Sequence, residues 1–233
     1  MNNKALLAVF VTSLVPGVAQ AATIDFLGLG NAEIVTLAGV RPVRAWAGEL
    51  EWAWKDGIPP GGTADPFYSY CVDLLNNERD PQYNVNILST DVMTADGMTG
   101  TAQKAVWLFN TYAAAAHDSS AGSLAAGLQL AIWDVLYDDG RKLEFDGTLG
   151  SMSNSFYVTV ASDAAKLAGQ GYLDALNAPG TNYINATSAI WLDAPKGYGQ
   201  DQITKTVPEP ATLLLLGTGL ASLAARRRKK TQA

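Results

Sequence analysis

The sequence predicts an α+β fold: a strand-rich barrel or sandwich body with an inserted helical hairpin, a signal peptide before it and a transmembrane helix after it. Three observations carry this. Residues 23–54 and 67–74 are rich in β-branched and aromatic side chains with partial alternation. At Thr101 the apolar spacing changes to three and four. Both ends carry apolar runs whose flanks mark them as addresses rather than core. With 233 residues, 48% hydrophobic and 9% aromatic, the chain is short for two domains, long enough for one buried core and too apolar for disorder.

The elements follow in order. Lys4, the apolar residues 5–15 and Ala19-Gln20-Ala21 form a secretory signal over residues 1–21, with cleavage expected between Ala21 and Ala22. The body spans 22–193. Residues 23–54 read as strand-turn-strand, Pro59-Pro60-Gly61-Gly62 as a loop, 67–74 as an aromatic strand and 83–88 as a weaker one. Ala102, Ala105, Val106, Phe109 and Ala113 give a helix over 101–116, with Thr99 or Thr101 as its cap. Leu124, Leu128, Ile132, Val135 and Leu136 give a second over 121–137, with Gly140 as its C-terminal cap. A third, over 162–176, is weakened by Gly169 and Gly171, and 187–192 is the last strand. Residues 194–206, rich in Pro, Gly and Gln, read as a linker to an anchor segment at 207–230. One echo is visible. Gln-x-Ala-(Val/Ile)-Trp occurs at 103–107 and again at 129–133, as in two similar amphipathic helices.

Charge narrows the partners. The net charge is -6, and five of the 16 cations crowd residues 226–230, so the body is more acidic than the whole. That disfavours nucleic acid. Pro208-Glu209-Pro210 is followed by an apolar run over 211–225, then Arg226-Arg227-Arg228-Lys229-Lys230. The run spans about 22 Å as a helix, a marginal anchor. The cations hold the C-terminal end in the cytoplasm and leave the body outside. This order resembles the PEP-CTERM sorting signal of Gram-negative bacteria. The resemblance implies an exosortase that recognises Pro-Glu-Pro, cuts near it and releases the body from the inner membrane to the cell surface.

Cys71 is the only cysteine, so no internal disulfide forms; an inert buried thiol, an intermolecular bridge and a reactive group all stay open. His117, the sole histidine, reads as a solvated loop residue between helices. No nucleotide, zinc or hydrolase motif is present, and neither a metal nor a cofactor is expected. Asp134, Asp138, Asp139 and Asp146 read as an acidic helix end and turn rather than a calcium loop. A surface hydrolase using Asp73 and Asp134 is a weaker alternative.

Tyr70-Cys71-Val72-Asp73-Leu74 and Leu128-Gln129-Leu130-Ala131-Ile132-Trp133 resemble the two signature segments of bacterial thioester domains, also named TQXA. The resemblance spans roughly residues 66–137. It implies that Cys71 and Gln129 form an internal thioester, with Ala131, Ile132 and Trp133 completing the motif. Leu128 departs from it, standing where the family has Thr. A thiolate beside a desolvated carboxamide can attack its carbonyl and expel ammonia, provided the fold holds both in attack geometry. Tyr70 and Trp133 would exclude water. The implied protein is not an enzyme but an adhesin-like module that attaches covalently to an amine- or hydroxyl-bearing protein or polysaccharide. Gln103 is the rival glutamine. Otherwise Gln129 hydrogen-bonds within the core, Cys71 packs unreacted, and the protein is a non-covalent component of extracellular matrix or biofilm.

Overall fold

The computed structural model describes residues 20–39, 42–57, 65–76, 81–89, 100–145, 156–183, 189–195 and 197–205. Among them run seven strands: β1 (Gln20–Gly39), β2 (Val43–Asp56), β3 (Phe67–Cys71), β4 (Gln82–Ser89), β5 (Phe156–Val160), β6 (Ala189–Asp193) and β7 (Gln202–Lys205). Three helices accompany them: α1 (Thr101–Asp118) and α2 (Gly122–Tyr137) lie between β4 and β5, and α3 (Asp163–Leu176) between β5 and β6. Every strand pairing is antiparallel. The order β2-β3-β7-β6-β4-β1-β5, with β1 also paired to β2, closes six strands into a ring and appends β5. Closure removes most of the edges that would invite pairing with other chains.

β1 makes closure possible. Its first residues pair with β4, its last with β5, and its other edge with β2 throughout. Register shifts after Thr23, Phe26 and Leu29 bend it around the ring. At one bend Gly48 of β2 has φ +137°, and a Cβ there would collide with the Asn31 carbonyl, so only glycine fits. Beyond it β2 continues along β1 alone, which leaves the end of β3 without a neighbour on that side. The expected cleavage point between Ala21 and Ala22 falls inside β1, whose first two residues pair with Ile87 and Asn86.

α1 and α2 form the hairpin that the spacing predicts. α1 buries one stripe, including Ala102, Ala105, Phe109, Ala113 and Ala116. α2 is buried at every residue from Ala125 to Val135, because it sits on β1 and β2 and carries α1 and α3 against it. Gly127 of α2 and Gly169 of α3 permit that contact: a Cβ on Gly127 would lie 2.8 Å from the Ala165 carbonyl, and one on Gly169 3.0 Å from that of Gly127. The glycine that weakens α3 locally is what lets it dock.

Several expectations change. The aromatic strand ends at Cys71, not 74, where Asp73 turns the chain. β5 was absent from the sequence reading, and β7 lies within the stretch read as linker, so the folded body continues to Lys205. Four residues with two polar ones, Gln202 and Thr204, give no apolar alternation, yet both are buried in the ring. The α1 cap is Gly100, without a side-chain bond, and α2 ends on extended Asp138, with Gly140 two residues beyond at φ +72°. Among the described residues no helix is long and apolar enough to cross a membrane. Residues 1–19 of the expected signal over 1–21, the apolar run 211–225, Pro208, Glu209, Pro210, Arg226, Arg227 and Arg228 all lie outside the described residues, as does Asp146.

Candidate functional site

Residues 71–74 leave β3 and run along one stripe of α2. Gln129, Trp133 and Tyr137 stand at i, i+4 and i+8, so they form a single column. The Gln129 carboxamide is bound at both ends by the backbone of Cys71. Cys71 N–H donates to Oε1 at 2.9 Å, and Nε2 donates to the Cys71 carbonyl at 2.7 Å. The carboxamide thus takes the place of the strand that β2 does not supply. On the other side β3 keeps its sheet partner, with Cys71 opposite Gln202 and Val72 N–H on the Asp201 carbonyl at 2.9 Å. Two turns along α2, the Tyr137 hydroxyl accepts from Leu74 N–H at 2.9 Å and donates to the Val72 carbonyl at 3.1 Å.

Asp73 shapes the turn. Its Oδ1 accepts from Leu75 N–H at 2.7 Å and from Asn76 N–H at 3.2 Å, and its Oδ2 from the Asn76 side chain. Gln200 Nε2 fastens the turn from outside through the Asp73 and Asn76 carbonyls at 3.1 and 2.7 Å. The carboxylate is therefore engaged in folding its own loop.

The thiol is free and 4% exposed; Gln129 is 1% exposed. Cys71 Sγ donates to the Asp73 carbonyl at 3.1 Å and accepts from Asp73 N–H at 3.4 Å. Burial pushes the thiol's pKa well up, the Asp73 and Asp201 carboxylates add to this, and the Asp73 N–H and the Trp133 indole offset only part of it. Burial likewise raises the Tyr137 hydroxyl. Asp201, beside them, is pushed up to about 6 by burial, although Ala194 N–H stabilises its charge. Trp133 is 2% exposed, and its indole favours the charged form of the Cys71 sulfur. Ala131 and Ile132 are fully buried apolar packing, as is Leu128. Tyr70 is buried too, on the α1 side, edge-on to Phe109 at 6.0 Å.

One polar group outside this column was not read from the sequence. Glu49 of β2 is fully buried and accepts from Asn31 N–H at 3.2 Å, His117 Nδ1 at 3.1 Å and the Tyr70 hydroxyl at 3.4 Å. His117 is not a loop residue. It lies in the last turn of α1, stacked on Tyr68 at 4.5 Å and 11°. Asp134 is buried with neither oxygen hydrogen-bonded, and burial followed by Asp138, Asp139 and Glu144 pushes it up to about 8. Among the described residues no group of three or more His, Cys, Asp or Glu side chains could hold a metal ion. Tyr137 and Gln200 were missed as well; the first continues the Gln129-Trp133 spacing, and the second was hidden in the supposed linker.

The C-terminal segment matches the PEP-CTERM protein-sorting motif over residues 206–229. The match supports export, transient membrane anchoring and processing by an exosortase. No curated protein and no solved structure matches the chain.

Proposed function

We propose that this exosortase substrate carries a body whose Cys71 and Gln129 form an internal thioester, used for covalent, adhesin-like attachment to an amine- or hydroxyl-bearing surface protein or polysaccharide. The observation that carries the reading is the two-point clamp on the carboxamide. It fixes the group against the residue whose sulfur must attack it, and side chains stand roughly perpendicular to the plane of strand hydrogen bonds, which is the approach a carbonyl carbon requires. Cys71 N–H already donates to the oxygen that would carry negative charge in the tetrahedral intermediate. The reaction joins Sγ to Gln129 Cδ and releases Nε2 as ammonia, with the thiol proton leaving on the nitrogen. A partner amine then takes the acyl group and frees the thiol. No turnover follows, so the module is a single-use reagent and not an enzyme.

A second reading has its own observation. Burial holds the sulfur protonated and bonded to the Asp73 carbonyl, which suits a structural clamp in a non-covalent matrix protein. Intact mass of the purified chain separates the two. The thioester form is lighter by one ammonia and takes up methylamine at Gln129; an unchanged mass with a thiol that titrates only on unfolding removes the covalent reading. Sorting is tested apart from this. Replacing Pro208, Glu209 and Pro210 should leave export intact but hold the protein in the inner membrane, and unchanged release would take the recognition role from that triplet.

A further inference from the structure

Because every strand pairing is antiparallel, the two ends of the ring can be read from the register. Gln20, the first residue of β1, pairs with Ile87 near the end of β4. Ser89, the last residue of β4, pairs with Ile190 at the start of β6, and Ala189 beside it pairs with Lys205, the last residue of β7. Closing the circuit, Phe67 opens β3 opposite Trp52 near the end of β2, and Asp56 at that end pairs with Thr23 of β1. The chain therefore enters the ring from the expected signal and leaves it toward the sorting motif at one end, the base. Cys71, Gln202, Asp193 and Gln82 mark the other end. There Gln200 Nε2 ties the turn before β7 to the turn after β3 through the Asp73 and Asn76 carbonyls, and Tyr198 and Leu75 on these turns are 59% and 64% exposed.

The base lies close to the anchor. β7 ends at Lys205, and the sorting motif begins at residue 206. Residues 206–210 precede the apolar run, and five residues reach at most about 18 Å when fully extended. β7 and β3, with four and five residues, are themselves only about 13–17 Å long. A tether this short leaves the body little freedom to turn over.

We propose that the base of the ring is a membrane-apposed surface: while the sorting segment is uncut, the body stands with this end toward the lipid headgroups and displays the turns bearing Leu75 and Tyr198 outward. The orientation rests on the sorting match and on strand direction, not on the thioester reading. It adds to that reading that Cys71, at the outer end of β3, is turned away from the membrane before the chain is released. The exosortase, in turn, must cut in a gap no taller than its five-residue tether.

Sequence distance and fold make opposite forecasts, which gives the test. Tyr198 is close to the motif in sequence and Asp65 is more than half the chain away, yet the ring puts Tyr198 at the outer end and Asp65, on the approach to β3, at the base. Both are exposed. The uncut chain, with residues 206–230 intact, is reconstituted in phosphatidylcholine vesicles as Asp65→Cys or Tyr198→Cys and biotinylated at the new thiol, since native Cys71 is buried. Streptavidin, too bulky for the gap, should capture Tyr198→Cys equally in vesicles and in detergent. Capture at Asp65→Cys should be lost in vesicles and return in detergent. Leu75→Cys and Lys205→Cys repeat the comparison if either first variant misfolds. Capture at both ends in vesicles, loss at both, or loss at Tyr198 alone overturns the orientation. None of these outcomes reads the mass deficit, so the thioester stands or falls separately.

Discussion

α1 and α2 carry the same short motif and put it to different uses. Gln103 and Trp107 of α1 stand on its half-exposed face, where Trp107 meets Tyr112 edge-on at 5.9 Å. Gln129 and Trp133 of α2 stand in the core against β3. Local sequence does not decide between these fates; the surroundings do. α1 has a polar flank in Lys104, Asn110, Thr111 and His117, so only one stripe needs cover. α2 is apolar around its whole circumference and is enclosed by sheet and helices. A glutamine on such a helix must find partners inside, and the unpaired end of β3 supplies them.

Exchanging the two glutamines for alanine should break the likeness most sharply. Gln129→Ala leaves the Cys71 N–H and carbonyl buried without partners, at a cost of about 2–4 kcal/mol. It should also abolish the mass deficit and the methylamine adduct. Gln103→Ala should cost under about 0.5 kcal/mol and leave both in place. Chemical unfolding and intact mass read the two effects. Label retained in Gln129→Ala and lost in Gln103→Ala would assign the chemistry to α1.

The echo also aligns Leu108 of α1 with Asp134 of α2, and both are fully buried. The Asp134 carboxyl is held neutral, with a folded pKa of about 8 against an ordinary 3.8. The unfolded chain ionises first as pH rises. The stability contributed by this group is therefore complete below about pH 4, falls between 4 and 8, and is flat above. The slope in that window approaches 1.4 kcal/mol per pH unit. Asp134→Asn should flatten the curve and raise stability at pH 7.5 by about 1–3 kcal/mol, measured by urea unfolding across pH. An unchanged slope would mean that Asp134 is charged in the fold.

These helices also show what the sequence makes legible. α1 and α2 were readable because a 3.6-residue period over sixteen or more residues outweighs any single position. Cys71 and Gln129 were nominated by resemblance, and their adjacency is a matter of geometry, since 58 residues separate them. β5 and β7 were not legible, because four or five residues leave too little pattern and their pairings are set by distant strands. His117 was misread because its stacking on Tyr68 and its bond to Glu49 arise only when the end of α1 docks on β2 and β3. Glu49 drew no reading from the sequence, because only ring closure buries both faces of β2 around it.

That docking gives α1 a tie of its own, weaker than the clamp on α2. His117 is 44% exposed at its side chain while Glu49 is fully buried, so removing the imidazole leaves the carboxylate only Asn31 N–H and the Tyr70 hydroxyl. His117→Ala should cost about 1–2 kcal/mol, and the loss should localise to the end of α1 in hydrogen exchange. His117→Gln, which can still donate to Glu49, should recover part of it. Equal loss in both variants would put the stabilisation in the Tyr68 stack instead.

The smallest difference lies at the helix starts, and it too separates the pair. Neither α1 nor α2 has a side-chain cap, whereas α3 has Ser162 Oγ accepting from Ala165 N–H at 3.1 Å. The α2 cap position is Ala121, with an extended backbone at φ -98° and ψ 106°, the conformation a capping Asp or Ser adopts. Ala121→Asp should add a bond to the first turn and a favourable charge at the helix N-terminus, gaining about 0.5–1 kcal/mol in thermal or urea unfolding. The α1 position is Gly100 at φ +92°, which side chains rarely adopt. Gly100→Asp must strain the backbone to place the same carboxylate, so the gain should vanish or reverse, although no described residue crowds the site. Equal stabilisation at both positions would show that Gly100 relaxes to an extended cap at no cost, and that the two helices start alike after all.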